Sequence, residues 1–225
     1  YRGLKPIMMN MKHFGYLMSI TKMAVLGAGQ MGNGITQVAA AAGYNVTMID
    51  IQQEYVDKGL ATIERSLGKL VSKERMSQED ADATLARISL STDRADCADC
   101  DLVVEAVPEI VDLKTSIFAE LDSICKPETI LASNTSSISI STIADATNRP
   151  DKVIGMHFMN PVPIMKLVEV INGNKTSSET NAAVIDASEK MGKIALSCND
   201  SPGFVSNRIL CPMLNEAILT LQEGV

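Results

Sequence analysis

The sequence predicts an α/β fold built on an open, doubly wound, mostly parallel sheet. Short apolar runs such as 23–26 and 130–132 alternate with helical patterns, and a glycine-rich turn joins the first run to the first helix. Residues 101–107, DLVVEAV, form a near-continuous apolar run of the kind that fills a buried parallel strand. An amphipathic helix follows the last strand pattern, and we interpret it as the first helix of an all-α C-terminal domain.

Residues 22–50 contain one complete nucleotide-binding unit of strand, turn, helix, second strand and terminal acid. Gly27 permits the tight turn, Gly29 lets a pyrophosphate approach the backbone, and Gly32 lets the helix pack closely on the strand. The expected cofactor-binding loop comprises Gly27, Gly29, Gln30, Met31 and Gly32. Alone, a GxGxxG is often only a glycine-containing turn, but with both strands, helix and acid in order it predicts a Rossmann-type domain.

Asp50 ends the second strand of this unit, 18 residues after Gly32. A carboxylate in that place accepts hydrogen bonds from both hydroxyls of a ribose, and it repels a 2′-phosphate. The expected cofactor is therefore NAD rather than NADP.

Composition argues against several other classes of protein. The hydrophobic fraction is 46% and the charged fraction 21%, as in ordinary globular chains, and no apolar run is long enough to span a membrane. A net charge of -7 disfavours nonspecific nucleic-acid binding. The odd count of five cysteines indicates reduced thiols inside a cell. Cys97 and Cys100 form a CxxC without further ligands nearby, so we expect two semi-buried residues and no metal site.

The chain divides into three parts. Residues 1–21 form a leader of uncertain origin, which fits part of an organellar presequence and equally an incomplete or adventitious N-terminus. Residues 22–199 are the expected NAD-binding domain. A break at 200–203 precedes a helix at 204–222 with a wide apolar stripe, so residues 200–225 are expected to begin an incomplete helical domain for substrate binding and dimerisation.

The crossover between the second and third predicted strands is longer than a minimal βαβ unit needs. It contains a helix at about 52–72 and a second helix opened by Ser77, so we expect a helical arm over about 52–87. On the first helix, basic and hydroxyl groups could meet a phosphate-bearing ligand or simply form a solvated face. These residues are Ser66, Lys69 and Lys73.

Polar residues follow two predicted strands where those strands end. Residues 133–137, SNTSS, lie at the carboxyl edge of the sheet, where ligands bind, although Ser and Asn also cap helices and turns. His157 ends another strand, and Glu169 lies 12 residues on in the returning strand. A carboxylate on one imidazole nitrogen leaves the other nitrogen to take a proton from an alcohol, as NAD-dependent oxidation requires. A buried structural pair is the alternative.

Five ordered motifs resemble the L-3-hydroxyacyl-CoA dehydrogenase family over about 22–225: GAGQMGNGI, VVEAVPE, ASNTSS, GMHFMNPVPIMKLVEVI and DSPGFVSNRIL. The resemblance implies NAD-dependent oxidation of L-3-hydroxyacyl-CoA to 3-ketoacyl-CoA and the reverse reduction, in fatty-acid or short-chain acyl-CoA metabolism. It also implies a helical second domain that closes the substrate cleft and forms a homodimer. This chain ends at Val225, so the dimer is expected of a full-length protein.

The resemblance further implies roles for single residues. The catalytic positions are the base His157, its orienting carboxylate Glu169, the active-site serine Ser136 and the amide Asn207, which helps hold the substrate oxygen. Cofactor contacts beyond the glycine-rich loop and Asp50 are implied at Glu109, Lys114, Ser136 and Asn160. Coenzyme A contacts are implied at Ser66 and Lys73.

Two other functions compete with this one. In a related hydroxyacid or sugar-acid dehydrogenase, Ser66 and Lys73 would be incidental. A non-catalytic NAD-binding relative would keep the fold without turnover, but the presence of both His157 and Glu169 argues against it. The expected location is intracellular, which means cytoplasmic in a bacterium and mitochondrial or peroxisomal in a eukaryote.

Overall fold

The computed structural model describes residues 19–225, so residues 1–18 of the expected leader lie outside the described part of the chain. The strands are β1 (Lys22–Leu26), β2 (Asn45–Ile49), β3 (Ile88–Ser91), β4 (Leu102–Glu105), β5 (Ile130–Ser133), β6 (Val153–Phe158), β7 (Leu167–Asn172) and β8 (Ile194–Asn199). The α-helices are α1 (Gln30–Ala41), α2 (Gln53–Ser72), α3 (Gln78–Leu85), α4 (Val111–Ile124), α5 (Ile140–Ala144), α6 (Ser178–Lys190) and α7 (Ser206–Gln222).

One sheet organises the described residues, with the strand order β3-β2-β1-β4-β5-β6-β7-β8. Strands β1 to β6 are parallel, β7 is antiparallel to β6, and β8 is parallel to β7. The first six strands therefore have the 3-2-1-4-5-6 order of a doubly wound dinucleotide-binding fold, whose strand order reverses between β1 and β4. The predicted α/β class is confirmed.

The sheet has an apolar core on each face. Helices α1 and α6 cover one face, where Ile35, Ala39 and Val184 are fully buried, and helices α4 and α5 cover the other. Small residues on α1 let it lie close to the sheet. An added Cβ on Gly32 would be 1.6 Å from the carbonyl oxygen of Gly27, so only glycine fits there.

The long crossover forms the predicted pair of helices, α2 and α3. Their apolar residues pack with Met48 of β2 and with the outer strand β3, so the arm shares a small core with the sheet edge. Ser77 caps α3 as expected, because its hydroxyl accepts the backbone N–H of Asp80 at 3.0 Å. Ser66 is half-buried on α2 and Lys73 is exposed at its C-terminal end.

The expectation that Cys97 and Cys100 are semi-buried is wrong. Both lie inside the core beside α4, with exposures of 0% and 2%. Burial raises the pKa of the Cys100 thiol to about 12, as is typical of an unreactive packing residue. Cys97 ends the short 3₁₀ helix Arg94–Cys97, and Cys100 lies in the turn that follows it, where its N–H donates to the Cys97 oxygen at 3.0 Å; residue spacing alone did not indicate that both side chains are buried.

Two further properties concern residues 19–225. None of their helices combines the length and apolar character that crossing a membrane requires. No group of three or more His, Cys, Asp or Glu side chains in this range could hold a metal ion.

The last helix begins at Ser206, two residues later than its pattern predicted. Gly203 and Phe204 have φ angles of 74° and 51°, so both adopt the left-handed conformation that a helix cannot continue through. This pair of residues turns the chain sharply between β8 and α7.

Candidate active site

A cleft of about 930 Å³ opens where the strand order reverses. Five of the predicted cofactor residues line it: Gly27, Gly29, Gln30, Met31 and Asp50. No heavy atom lies within 4 Å of where a Cβ of Gly29 would be, so the backbone there faces open space. Because residue 29 is glycine, this space is open to a pyrophosphate, whereas a side chain at that position would fill it. Gly32 lies beneath the loop and allows the helix to pack there.

Asp50 is held rigidly in the wall of the cleft. One carboxylate oxygen accepts the N–H of Ala28 at 2.7 Å and the other accepts the N–H of Ile51 at 2.7 Å. Lys58 and Arg94 line the same cleft but were not predicted, because no motif marks them. Their positions follow from how α2 and the 3₁₀ helix pack around the ends of the strands.

His157 and Glu169 lie directly opposite one another on the antiparallel strands β6 and β7. His157 Nδ1 is 2.8 Å from Glu169 Oε2, and His157 Nε2 is 3.0 Å from Ser136 Oγ. Both His157 and Glu169 are buried. An ionised carboxylate can only accept a hydrogen bond, so Nδ1 carries the proton and Nε2 is left as an acceptor.

The second oxygen of Glu169 anchors the start of α7. Oε1 accepts the backbone N–H of Val205 at 3.1 Å and that of Ser206 at 2.8 Å. Burial opposes ionisation of Glu169, but hydrogen bonds from His157 and from these two residues outweigh it and hold its pKa below the ordinary value. Glu169 is therefore negatively charged at neutral pH and has no free oxygen.

The same anchoring brings two further side chains to the site. The ring of Phe204 meets the imidazole of His157 edge-on, with 5.8 Å between ring centroids. Asn207 Nδ2 donates to the backbone oxygen of Ser136 at 3.4 Å. Asn207 was implied by resemblance, whereas Phe204 was not identified, because its position depends on the left-handed turn before α7.

Glu109 holds the loop that carries Ser136. Its Oε1 accepts the backbone N–H of Ser136 at 2.9 Å and of Ser137 at 3.2 Å, together with the hydroxyl of Thr135. Burial works against ionisation here too, but the Thr135 hydroxyl and the ammonium of Lys114 lower the pKa of Glu109 below its usual value. Glu109 is thus a charged support beneath the exposed Ser136.

Lys114 lies behind Glu109 and is not part of the cleft lining. Its ammonium is 3.3 Å from Glu109 Oε2 and 2.6 Å from Oε1 of Glu105, which is fully buried. The hydroxyl of Ser133 donates to the other oxygen of Glu105 at 2.7 Å. Glu105 was not singled out from the sequence, although an acid within the apolar run LVVEAV is a signal that it must have a partner.

Replacing Lys114 by Met should lower the free energy of unfolding by about 3–5 kcal/mol, because it leaves the buried carboxylate of Glu105 without its cationic partner. The double variant K114M/E105Q should be less destabilised than K114M, since the unpaired charge is removed. Urea unfolding of the cofactor-free protein measures both. The matched control is K175M at the exposed Lys175–Asp145 pair, where we expect at most about 1 kcal/mol. Equal destabilisation by K114M and K175M would contradict the prediction.

Asn160 lies in the turn after β6 and meets the glycine-rich loop. Its Oδ1 accepts a hydrogen bond from Gln30 Nε2 at 3.1 Å. The turn therefore joins the strand of His157 to the cofactor cleft. Ser66 and Lys73 stand apart from this group, because α2 packs at the β2–β3 side of the sheet.

The fold and the site together define a class, the NAD-dependent oxidoreductases. The model of the 3-hydroxyacyl-CoA dehydrogenase NAD-binding domain matches residues 22–201. A probable 3-hydroxybutyryl-CoA dehydrogenase of Deinococcus radiodurans is 57% identical over 204 residues, covering 91% of this chain and 73% of that protein. The human mitochondrial hydroxyacyl-coenzyme A dehydrogenase is 44% identical over 211 residues, covering 91% of this chain and 67% of that protein.

Solved structures agree with these relatives. The (S)-3-hydroxybutyryl-CoA dehydrogenase of Ralstonia eutropha superposes with a TM-score of 0.90 at 50% identity, over 92% of this chain and 73% of that one. The chain belongs to the L-3-hydroxyacyl-CoA dehydrogenase family. It is an NAD-dependent enzyme, as the glycine-rich unit and Asp50 predicted.

Proposed function

We propose that this chain oxidises the hydroxyl of a short-chain L-3-hydroxyacyl-CoA to a ketone and catalyses the reverse reduction. The observation that carries the proposal is the hydrogen-bonded series Ser136–His157–Glu169 at the carboxyl edge of a dinucleotide-binding sheet. NAD, when bound, supplies the acceptor for the hydride. Relatives named 3-hydroxybutyryl-CoA dehydrogenase support the short acyl chain.

His157 is the proposed general base. Its Nε2 carries no proton and can accept that of the substrate hydroxyl, because Glu169 holds the single ring proton on Nδ1. The charge of Glu169 stabilises the imidazolium that forms. In the reductive direction the same Nε2 returns its proton to the substrate oxygen.

Ser136 and Asn207 are the proposed ligands of the substrate oxygen. The Ser136 hydroxyl lies 3.0 Å from Nε2 and on the exposed side of His157, where a substrate hydroxyl would enter. Asn207 is half-buried beside it and carries amide donors. Donors at this place favour the oxygen as it gains negative charge.

The cofactor contacts are proposals of the same kind. The glycine-rich loop with Gln30 and Met31 would bind the pyrophosphate, and Asp50 would accept hydrogen bonds from the ribose. Glu109, Ser136 and Asn160 would bound the nicotinamide end. Lys114, which is buried, would act there through its ion pair with Glu109 rather than by direct contact.

Coenzyme A would lie along α2, with Ser66 and Lys73 near one of its phosphates. Lys73 suits a phosphate because it is exposed and cationic at the end of the helix. This proposal places the acyl end at His157 and the nucleotide end on the helical arm. The oxidation would then take place at one end of the substrate, and the protein would recognise coenzyme A at the other end.

We also propose a division into an NAD-binding domain at 22–199, with its arm at 52–87, and a helical domain beginning at 200. Support comes from α7, whose residues are all at least partly exposed although many are apolar. The full-length protein would be a homodimer that acts in β-oxidation or related acyl-CoA metabolism. It would work inside the cell, in the cytoplasm of a bacterium or in mitochondria or peroxisomes of a eukaryote.

The test is oxidation of NADH by the full-length protein in the presence of acetoacetyl-CoA, and the absorbance of the nicotinamide monitors the reaction. We expect turnover of the thioester and far slower reduction of free acetoacetate. K73M should raise the KM for acetoacetyl-CoA about tenfold, the value of one charge-assisted contact, with a smaller change in the control K69M on the same helix. Faster reduction of the free acid, or NADH binding without any turnover, would contradict the proposal.

A further inference from the structure

Lys193 is a buried lysine in the turn between α6 and β8, directly before β8, with an exposure of only 8%. Its Nζ donates to the backbone oxygens of Val162 and Met165, the second at 2.9 Å. Burial lowers the pKa of Lys193, and no carboxylate among residues 19–225 lies within ion-pair distance to offset that cost. A buried ammonium group is unfavourable unless its hydrogen bonds are satisfied. The two carbonyl oxygens therefore stabilise the ammonium group of Lys193 in its buried position.

The two carbonyl oxygens belong to the turn between β6 and β7. The turn is closed by a hydrogen bond from the N–H of Met165 to the oxygen of Pro161 at 2.9 Å. Val162 is buried against α1, and an added Cβ on Gly34 would lie 2.8 Å from the Val162 Cβ. The turn is therefore clamped between Lys193 on one side and α1 on the other.

We propose that Lys193 is a positioning residue for the cofactor and acts through this turn. The turn begins at Asn160, whose side chain accepts the hydrogen bond from Gln30 in the glycine-rich loop. By holding the carbonyls of Val162 and Met165, Lys193 keeps Asn160 against that loop. The inference rests on the proposed contact of Asn160 with the cofactor.

The proton-transfer group is anchored separately. His157 is held by Glu169, which in turn binds the backbone at the start of α7. Loosening the turn therefore weakens cofactor binding, while the pairing of His157 with Glu169 persists. A lysine that served stability alone would change the amount of folded protein and leave the affinity of the folded protein for NADH unchanged.

The experiment compares K193M and K193R with the wild-type full-length protein. K193M should raise the Kd for NADH, measured by fluorescence, and the KM for NADH about tenfold, as for loss of one charge-assisted hydrogen bond. The KM for acetoacetyl-CoA should stay within about twofold, because the substrate contacts lie elsewhere. K193R keeps donors for both carbonyls and should restore most of the affinity. K190M, an exposed lysine on α6, is the matched control and should bind NADH as the wild type does.

A double-mutant cycle with N160A tests whether Lys193 affects NADH binding through Asn160. If Lys193 acts through Asn160, the variant K193M/N160A should bind NADH no more weakly than the weaker single variant. If K193M leaves the Kd for NADH unchanged while N160A raises it, the role of Lys193 is overturned but the proposed role of Asn160 is not. The same holds if the effects of K193M and N160A on the free energy of NADH binding are additive. An unchanged Kd in N160A would instead remove the proposed role of Asn160. If K193M does not fold, K193Q, which keeps an N–H donor group on a shorter side chain, replaces it and should give an intermediate Kd.

Discussion

Replacing His157 by Gln should lower kcat by about 10²- to 10⁴-fold, the usual contribution of a general base. The amide of Gln cannot take up a proton at neutral pH, so the hydroxyl proton of the substrate has no acceptor. The Kd for NADH should stay within about twofold, because the loop around Gly29 and the wall at Asp50 do not involve His157. Single-turnover kinetics with acetoacetyl-CoA and NADH titration by fluorescence measure the two quantities.

The structure supplies the control for this experiment. Thermal unfolding of H157Q separates a catalytic loss from a folding defect, since His157 also packs against Phe204. A variant that retains its melting temperature and NADH affinity but not its turnover has lost a base. Parallel loss of all three would show that His157 is structural and would contradict its assigned role.

Replacing Glu169 by Gln should also lower kcat by about 10²- to 10⁴-fold, while the fold stays intact. The amide oxygen of Gln can still accept the N–H groups of Val205 and Ser206. Its NH₂ group then faces His157 Nδ1 and donates to it, so the imidazole proton moves to Nε2. A protonated Nε2 cannot act as the base.

The Ala variant at the same position separates the two tasks of Glu169. E169A removes the acceptor for Val205 and Ser206 as well, so its free energy of unfolding should fall by about 1–3 kcal/mol below that of E169Q. Urea unfolding and kcat measured on both variants test this. Equal stability of the two variants would show that the contacts with α7 contribute little.

The pH dependence of stability follows from the direction of the pKa shift. Because the folded-state pKa of Glu169 is lowered, the stabilisation is present above the unfolded-state pKa and is lost as the pH falls through the folded-state value. The wild type should therefore lose more stability than E169Q between neutral and acidic pH. Unfolding at a series of pH values checks the difference, and identical curves would contradict it.

Much of the site could be predicted because it depends on local pattern. The glycine-rich turn, the apolar strands and Asp50 lie within a stretch of 29 residues, and their spacing specifies how the chain turns. His157 and Glu169 are joined by a short Pro-containing turn, so antiparallel pairing brings them together with little uncertainty in register. The order of motifs then indicated the family.

Other parts of the site could not be predicted, because they join segments distant in sequence. Glu105 pairs with Lys114 only after α4 packs on the sheet, and the N–H groups of Val205 and Ser206 reach Glu169 only after the left-handed turn at Phe204. The burial of Cys97 and Cys100 beside α4 could not be predicted for the same reason. Each of these contacts forms only when the chain packs, and no residue pattern in the sequence indicates it.

The sequence by itself determined the α/β class, the preference for NAD and the pairing of His157 with Glu169. These features depend on turn conformations, apolar runs and residue spacings that are set by residues close together in the sequence. The tertiary structure alone decided that Glu169 uses both oxygens, that Lys114 supports the site from beneath, and that Lys193 clamps the turn of Asn160. Buried charges and backbone polar groups must find partners wherever the packed chain provides them, and packing brings together partners that are far apart in the sequence.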